Sequence, residues 1–134
     1  MLSKQRGDIV YKILLVDDES NIVFLMERSI ELMSDSDIEI LKAGNGKDAL
    51  DLITKEKPDM VFLDVMMPEM DGFEVCRKVR QEYNNKETYI IILTAKGEER
   101  DKVNAIQAGA NEFMTKPFDP SEMIDKIKSV LKID

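Results

Sequence analysis

The chain has no histidine, no tryptophan and a single cysteine among its 134 residues. Zinc is normally held by histidine or cysteine, so this composition leaves little with which to build a zinc site. Cys76 has no second cysteine to pair with; it falls in a helix-like segment, where it reads as a small buried hydrophobe suited to a reducing cytosol. Cations are also scarce: 19 Lys and Arg stand against 27 Asp and Glu, for a formal charge of -8, and no basic run breaks the acidic balance. Such a surface repels phosphate backbones, so direct nucleic-acid binding is not expected. No apolar stretch approaches the roughly 18 to 20 residues that a membrane span requires, which favours a cytoplasmic chain without membrane contact. Repeats, low-complexity segments and linkers are missing too, so residues 1–10 are expected to form a loose tail and 11–134 one domain.

What is present is an alternation. Short apolar runs of strand length are each followed by a longer stretch of helical periodicity, and the pair recurs five times from Tyr11 onward. The expected strands are Lys12 to Val16, Glu39 to Ala43, Met60 to Leu63, Tyr89 to Leu93 and Glu112 to Met114. The first is almost unbroken in apolarity, as befits a strand covered on both faces of a parallel sheet. A helix from about Ser20 to Met33 should turn Ile22, Leu25, Met26, Ser29, Ile30 and Met33 to one side. The second helix stops near Lys57-Pro58, the third carries Phe73, Val75, Cys76 and Val79 and ends at Asn84-Asn85, and the fourth runs from Glu98 to Ala108 with Gly109 as a left-handed cap. Asp119 and Pro120 supply an N-cap and a first-turn proline for the last helix, whose apolar stripe is Met123, Ile124, Ile127, Val130 and Leu131. Five such units predict an α/β fold, a doubly wound five-stranded parallel sheet of flavodoxin-like (βα)5 type in strand order 2-1-3-4-5, with its site beyond the carboxyl ends of the strands.

Those ends carry chemistry. Asp17 and Asp18 close the first strand, Asp64 the third, Thr94 the fourth and Lys116 the fifth, so all five polar groups should face one crevice. Crowded carboxylates raise one another's pKa unless a cation sits among them, and oxygen donors suit Mg²⁺. A carboxylate can also attack phosphorus to give an aspartyl phosphate, a reaction that needs mainly positioning and charge neutralisation. Asp64, alone on the central strand, is the better nucleophile candidate, although the chemistry itself leaves the choice open. Taken singly, each residue has a plainer reading. Asp18 caps a helix, Asp64 and Asp71 are turn residues, Thr94 bonds to backbone, and Lys116 is a solvated amine. Five coincidences at the ends of four strands favour the joint reading.

The blocks ILLVDDE, VFLDVMMPEMDG, IIILTA and GANEFMTKPF resemble, in order and spacing, the four signature blocks of the receiver domains of two-component response regulators, CheY-like proteins. The resemblance spans the chain from Lys12 onward. It implies Asp64 as phosphoacceptor, Asp18 and Asp64 as direct Mg²⁺ ligands, Asp17 as a ligand through water, and the Met66 carbonyl as a further ligand. Thr94 would bond to the phosphoryl group, Lys116 would pair with its charge, and Lys116-Pro117 would be cis. Phe113 falls at the place of a switch aromatic, with an ordinary buried ring as its equal alternative; lacking a hydroxyl, it could be held inward only by packing. Phosphorylation would then alter the face made by the fourth helix, fifth strand and fifth helix. The implied donor is a sensor histidine kinase or phosphotransfer protein, and the implied reader a downstream protein target. Self-association through the same face would be weak at most, because Asn111, Ser121 and Met123 interrupt the charges that some relatives carry there. Lys96, like Met66, should influence the lifetime of the phosphate. The only catalysis implied is the domain's own phosphorylation and dephosphorylation.

Three other readings compete. A haloacid dehalogenase-type phosphatase would want a second acid in Asp64-Val65-Met66. An FMN-binding flavodoxin would want a Ser/Thr/Gly-rich loop where Asp17-Asp18-Glu19 stands, and a scaffold without activity would lack one of the five groups. No output domain is expected after the fifth helix, the pattern either of a stand-alone receiver or of a piece of a larger regulator.

Overall fold

The strand Val10–Val16 (β1) is built around Ile13-Leu14-Leu15-Val16, four consecutive side chains without solvent exposure. Successive strand side chains point to opposite faces, so an unbroken apolar run needs a covering layer on each side. Both layers are present. Leu14 and Val16 pack into one core with Val61, Leu63, Ile90 and Ile92, while Ile13 and Leu15 pack into the other with Met60, Phe62, Ile91 and Leu93. Each large apolar side chain so buried contributes about 1.5–3 kcal/mol, which makes the sheet's two faces the main source of stability.

In the computed structural model, which describes residues 9–33, 37–95 and 98–133, the remaining elements are α1 (Ser20–Met33), β2 (Asp37–Ala43), α2 (Gly46–Glu56), β3 (Met60–Asp64), α3 (Gly72–Gln81), β4 (Tyr89–Ala95), α4 (Glu99–Gln107), β5 (Glu112–Lys116) and α5 (Pro120–Leu131). The strands are parallel and lie in the order β2-β1-β3-β4-β5, as the alternation predicts. Met26 and Ile30 of α1 and Met123, Ile127 and Leu131 of α5 cover one face. Helices α2, α3 and α4 cover the other through Ala49, Ile53, Phe73, Val75, Cys76, Val79 and Ala105. Cys76 is buried as expected, and burial pushes its thiol up to about 11.

Several elements run longer than their apolar cores. β1 starts at Val10, where it faces Asp37, and Thr94 and Ala95 of β4 still face Thr115 and Lys116 of β5. Ladder hydrogen bonds join backbones whatever the side chain, so pairing continues where the hydrophobic signal has stopped. Of the expected tail, residues 1–8 lie outside the described residues. The buried arc of α1 is also rotated from the expected stripe: Leu25 is 44% exposed, whereas Val23 packs with Ile22 and Met33 beside Met26 and Ile30. Positions 23, 26, 30 and 33 follow the three-and-four spacing of one helix face, and Leu25 falls on its flank.

Local chemistry sets the helix starts. Asn45 caps α2 by accepting from the Asp48 N–H at 2.8 Å, and Asp71 caps α3 by accepting from the Glu74 N–H at 2.9 Å. Asp119 accepts from the Ser121 N–H at 2.9 Å with Pro120 in the first turn of α5, as its sequence suggests. After α4, Gly109 has φ +100, and a Cβ there would stand 2.7 Å from Arg80 Cγ. Arg80 in turn donates to the Gly109 carbonyl (2.9 Å), the Asn85 carbonyl (3.0 Å) and Asn111 Oδ1 (2.8 Å), tying α3 to the turn before β5.

Candidate functional site

Parallel strands put their carboxyl ends on one edge of the sheet, and register decides which end residues meet. Val16 is level with Leu63, Asp64 with Leu93, and Ala95 with Lys116. Asp17, one residue past β1, therefore reaches the same rim as Asp64 at the end of β3 and Lys116 at the end of β5.

The two acids are almost completely enclosed, Asp17 at 2% exposure and Asp64 at 3%. Lys116 sits between them, its Nζ 2.7 Å from Asp17 Oδ2 and 3.1 Å from Asp64 Oδ1. The bond to Asp64 is a hydrogen bond; the approach to Asp17 is an ion pair only, and the buried Asp17 Oδ2 accepts no hydrogen bond. Asp17 Oδ1 accepts from the Glu19 N–H at 2.9 Å, so it is Asp17 rather than Asp18 whose carboxylate bonds to the chain leading into α1.

Burial raises the pKa of Asp64, and the negative charge of Asp17 raises it further. Lys116 and a hydrogen bond from the Met66 backbone N–H pull the other way, leaving it near 6 against an ordinary 3.8. Burial disfavours the Lys116 ammonium, but the two carboxylates more than offset this and hold its pKa above the ordinary value. One cation shared by two enclosed anions leaves negative charge uncompensated, the electrostatic signature of a place for a further cation.

Oxygen donors for it are at hand. Carboxylate oxygens of Asp17, Asp18 and Glu19 lie within 4.8 Å of one another, Asp17 buried and the other two exposed. This differs from the expected trio of Asp17, Asp18 and Asp64: Asp64 joins through Lys116 instead. Glu19 was not singled out as a site residue, though the run Asp17-Asp18-Glu19 displayed a third acid. The all-oxygen set and the enclosed Asp17 carboxylate, whose Oδ2 meets only the Lys116 amine that it shares with Asp64, fit a hard divalent ion.

The other expected residues are less central. Thr94 is fully buried, and its hydroxyl donates to the Met114 carbonyl across β4 and β5 at 3.3 Å, the backbone bond its plainer reading anticipated. Met66 turns its side chain outward, 72% exposed. Phe113 is half-buried against the core beneath α2, α3 and α4, with Lys102 Nζ 5.3 Å from its ring centroid. Lys116-Pro117 is cis. Lys96 lies outside the described residues. A cleft of about 410 Å³ opens beside the acids, lined by Asp17, Asp18, Phe24, Lys42 and Gly44 among others. A larger cavity, about 480 Å³, lies at the opposite pole near Pro58, Tyr83 and Thr88, far from these groups.

The arrangement can hold a cation beside a buried carboxylate and present a lysine to an incoming anion. Comparison with known proteins is consistent with this. Residues 13–128 match the family described as the response regulator receiver domain. The alkaline phosphatase synthesis transcriptional regulatory protein PhoP of Bacillus subtilis (strain 168) is 44% identical over 122 residues, covering 90% of this chain and 48% of that protein. The probable transcriptional regulator ycf27 of Porphyra purpurea is 41% identical over 121 residues, 90% of this chain and 47% of its own. The chain thus spans about half the length of these relatives. Among solved structures, a putative response regulator from Chloroflexus aurantiacus J-10-fl superposes with a TM-score of 0.83 at 33% identity, covering 92% of this chain and 99% of the other. The Vibrio cholerae chemotaxis protein CheY4 gives 0.78 at 30%, covering 91% and 99%.

Proposed function

Because the chain belongs to the response regulator receiver domain family, whose function is phosphoryl acceptance in two-component signalling, we propose that Asp64 is the acceptor and that Lys116 and the acids around it form its reaction site. The observation that carries this reading is the single amine held between two enclosed carboxylates, 2.7 Å from Asp17 and 3.1 Å from Asp64.

Receiver domains generally bind Mg²⁺ in an acidic pocket. Here Asp17, Asp18, Asp64 and the Met66 carbonyl are the proposed ligands, with Glu19 close enough to add an oxygen. When bound, Mg²⁺ supplies neutralisation of the charge on the phosphoryl oxygens. The chain's own groups do the rest. The ionised Asp64 carboxylate attacks phosphorus, the bond from phosphorus to the donor's leaving atom breaks, and an aspartyl phosphate forms. Lys116, already hydrogen-bonded to Asp64, pairs with the arriving charge. Thr94 exchanges its bond to the Met114 carbonyl for one to a phosphoryl oxygen, and Phe113 responds on the neighbouring strand. Attack by water later releases phosphate; beyond its own phosphorylation and dephosphorylation no catalysis is proposed.

The proposed donor is a sensor histidine kinase or phosphotransfer protein, and the proposed reader a protein docking on α4, β5 and α5. The uncharged residues that interrupt the charge pattern of this face have partners within the chain. Asn111 Oδ1 accepts from Arg80 and from the Ile90 N–H, both at 2.8 Å, Ser121 Oγ donates to Asp119 at 2.9 Å, and Met123 is core. That supports a protein target other than a second copy. Among the described residues no helix is long and apolar enough to cross a membrane.

Incubation with Mg²⁺ and acetyl phosphate should raise the intact mass by one phosphoryl group, and Asp64→Asn should abolish the gain. Labelling of the variant at the parental rate would show that the acceptor lies elsewhere.

A further inference from the structure

The loop between β3 and α3 contains three methionines, and they are disposed differently. Val65 and Met67 point inward, both nearly enclosed, and Met70 is half-buried against the core; Met66 between them stands 72% exposed. The loop is held in this form by backbone bonds. The N–H groups of Met67 and Gly72 both donate to the Val65 carbonyl at 3.1 Å, and that of Met70 donates to the Pro68 carbonyl at 2.8 Å. Gly72 packs so closely that a Cβ would stand 2.4 Å from the Asp64 carbonyl oxygen. Met66 lies two residues past Asp64, and its backbone N–H is close enough to the Asp64 carboxyl to lower its pKa. Its side chain is left in water two residues beyond the acceptor candidate.

Among the described residues the other sulfur atoms are wholly or partly covered. Met26, Met60, Met114 and Met123 are core residues, Met33 packs against the core of α1 and α5, and Cys76 is enclosed. Burial raises the Cys76 thiol to about 11, so little of the reactive thiolate exists at neutral pH.

We propose that Met66 is a site of reversible oxidation by peroxides and that the resulting sulfoxide shortens the life of the phosphorylated state. The sulfur lone pair attacks one peroxide oxygen, the O–O bond breaks, and the other oxygen leaves as water after taking up a proton. Sulfur is oxidised by two electrons and the peroxide is reduced by two; a thiol-dependent sulfoxide reductase reverses the change. An apolar side chain two residues beyond Asp64 becomes a strong hydrogen-bond acceptor that holds water next to the acyl phosphate. The oxidation itself is independent of Asp64, whereas its consequence rests on Asp64 being the acceptor.

The test treats the whole chain with graded hydrogen peroxide and maps oxygen addition by peptide mass. It then phosphorylates the protein with acetyl phosphate and Mg²⁺ and follows loss of the label. Met66 should oxidise before Met33 and Met70, and the label should decay faster by about twofold or more in the oxidised protein. Met66→Leu, compared with itself before and after peroxide, should show no change in decay, and reductase treatment of the parent should restore its original rate. Equal oxidation of Met33 or Met70, or unchanged decay after clean conversion of Met66, overturns the proposal. An untreated chain that takes no label at all overturns the Asp64 reading and with it the regulatory half, and leaves the peptide map to decide the oxidation site.

Discussion

Asp64 is expected to weaken the folded chain at neutral pH when no divalent ion is present, and replacing it with asparagine should reveal by how much. Its pKa rises from an ordinary 3.8 to about 6, chiefly through burial and then through the charge of Asp17. Between those two values the folded chain keeps a proton that the unfolded chain has released. Stability therefore falls as pH rises through that window, and is level above about 6 and below about 4. A displacement of about two pH units at about 1.4 kcal/mol each gives a loss of at most about 3 kcal/mol. For a chain of this size that is a fall of about 10 °C in Tm. An asparagine amide cannot titrate, so the difference between Asp64→Asn and the parent reads this carboxyl together with its coupling to Asp17 and Lys116. Urea and thermal unfolding of both proteins, with a chelator, from pH 4 to pH 8 should show the variant gaining on the parent by about that amount. Adding Mg²⁺ above pH 6 should then recover stability in the parent, by about 2.7 kcal/mol at a hundredfold excess over Kd. A difference that stays flat across the pH range would refute the picture of two enclosed carboxylates competing for one lysine.

Lys116→Met removes the only cation paired with Asp17 and Asp64 among the described ion pairs. Charge-assisted hydrogen bonds are worth about 1.5–3 kcal/mol, so acetyl phosphate labelling should slow by about ten- to a hundredfold at saturating Mg²⁺; a rate close to the parent's would remove Lys116 from the reaction. Gly72→Ala places a Cβ 2.4 Å from the Asp64 carbonyl oxygen, backbone that must move to admit it. A cost on the order of 1–3 kcal/mol in urea unfolding is expected, together with slower labelling, because the displaced backbone carries the acceptor; unchanged stability and labelling would mean that the loop yields without disturbing Asp64.

Much of the architecture was legible from residue order because a parallel sheet buried on both faces writes itself as unbroken apolar runs. Ile13 to Val16, Met60 to Leu63 and Ile90 to Leu93 could be placed that way, and each run ends where a polar side chain takes over. Strand ends were less legible at Val10, Thr115 and Lys116, because ladder pairing depends on a neighbour that linear order does not display. The same limit applied to α1, where periodicity admitted Leu25 but the fit against β1 and α5 selected Val23 and Met26.

What residue order determined by itself was the chemistry available: an acidic chain without histidine, with Asp17, Asp18, Asp64, Thr94 and Lys116 at the ends of the first, third, fourth and fifth strands. Tertiary structure alone decided how those groups meet. It placed Lys116 between two particular carboxylates, brought Glu19 rather than Asp64 into the tight oxygen cluster, turned the Thr94 hydroxyl onto the Met114 carbonyl, and left Met66 in water while burying Met123. Composition and spacing say which groups can reach one edge of the sheet; only register, burial and the competition of neighbouring charges set distances of a few ångströms, and electrostatics in an enclosed site depends steeply on those distances.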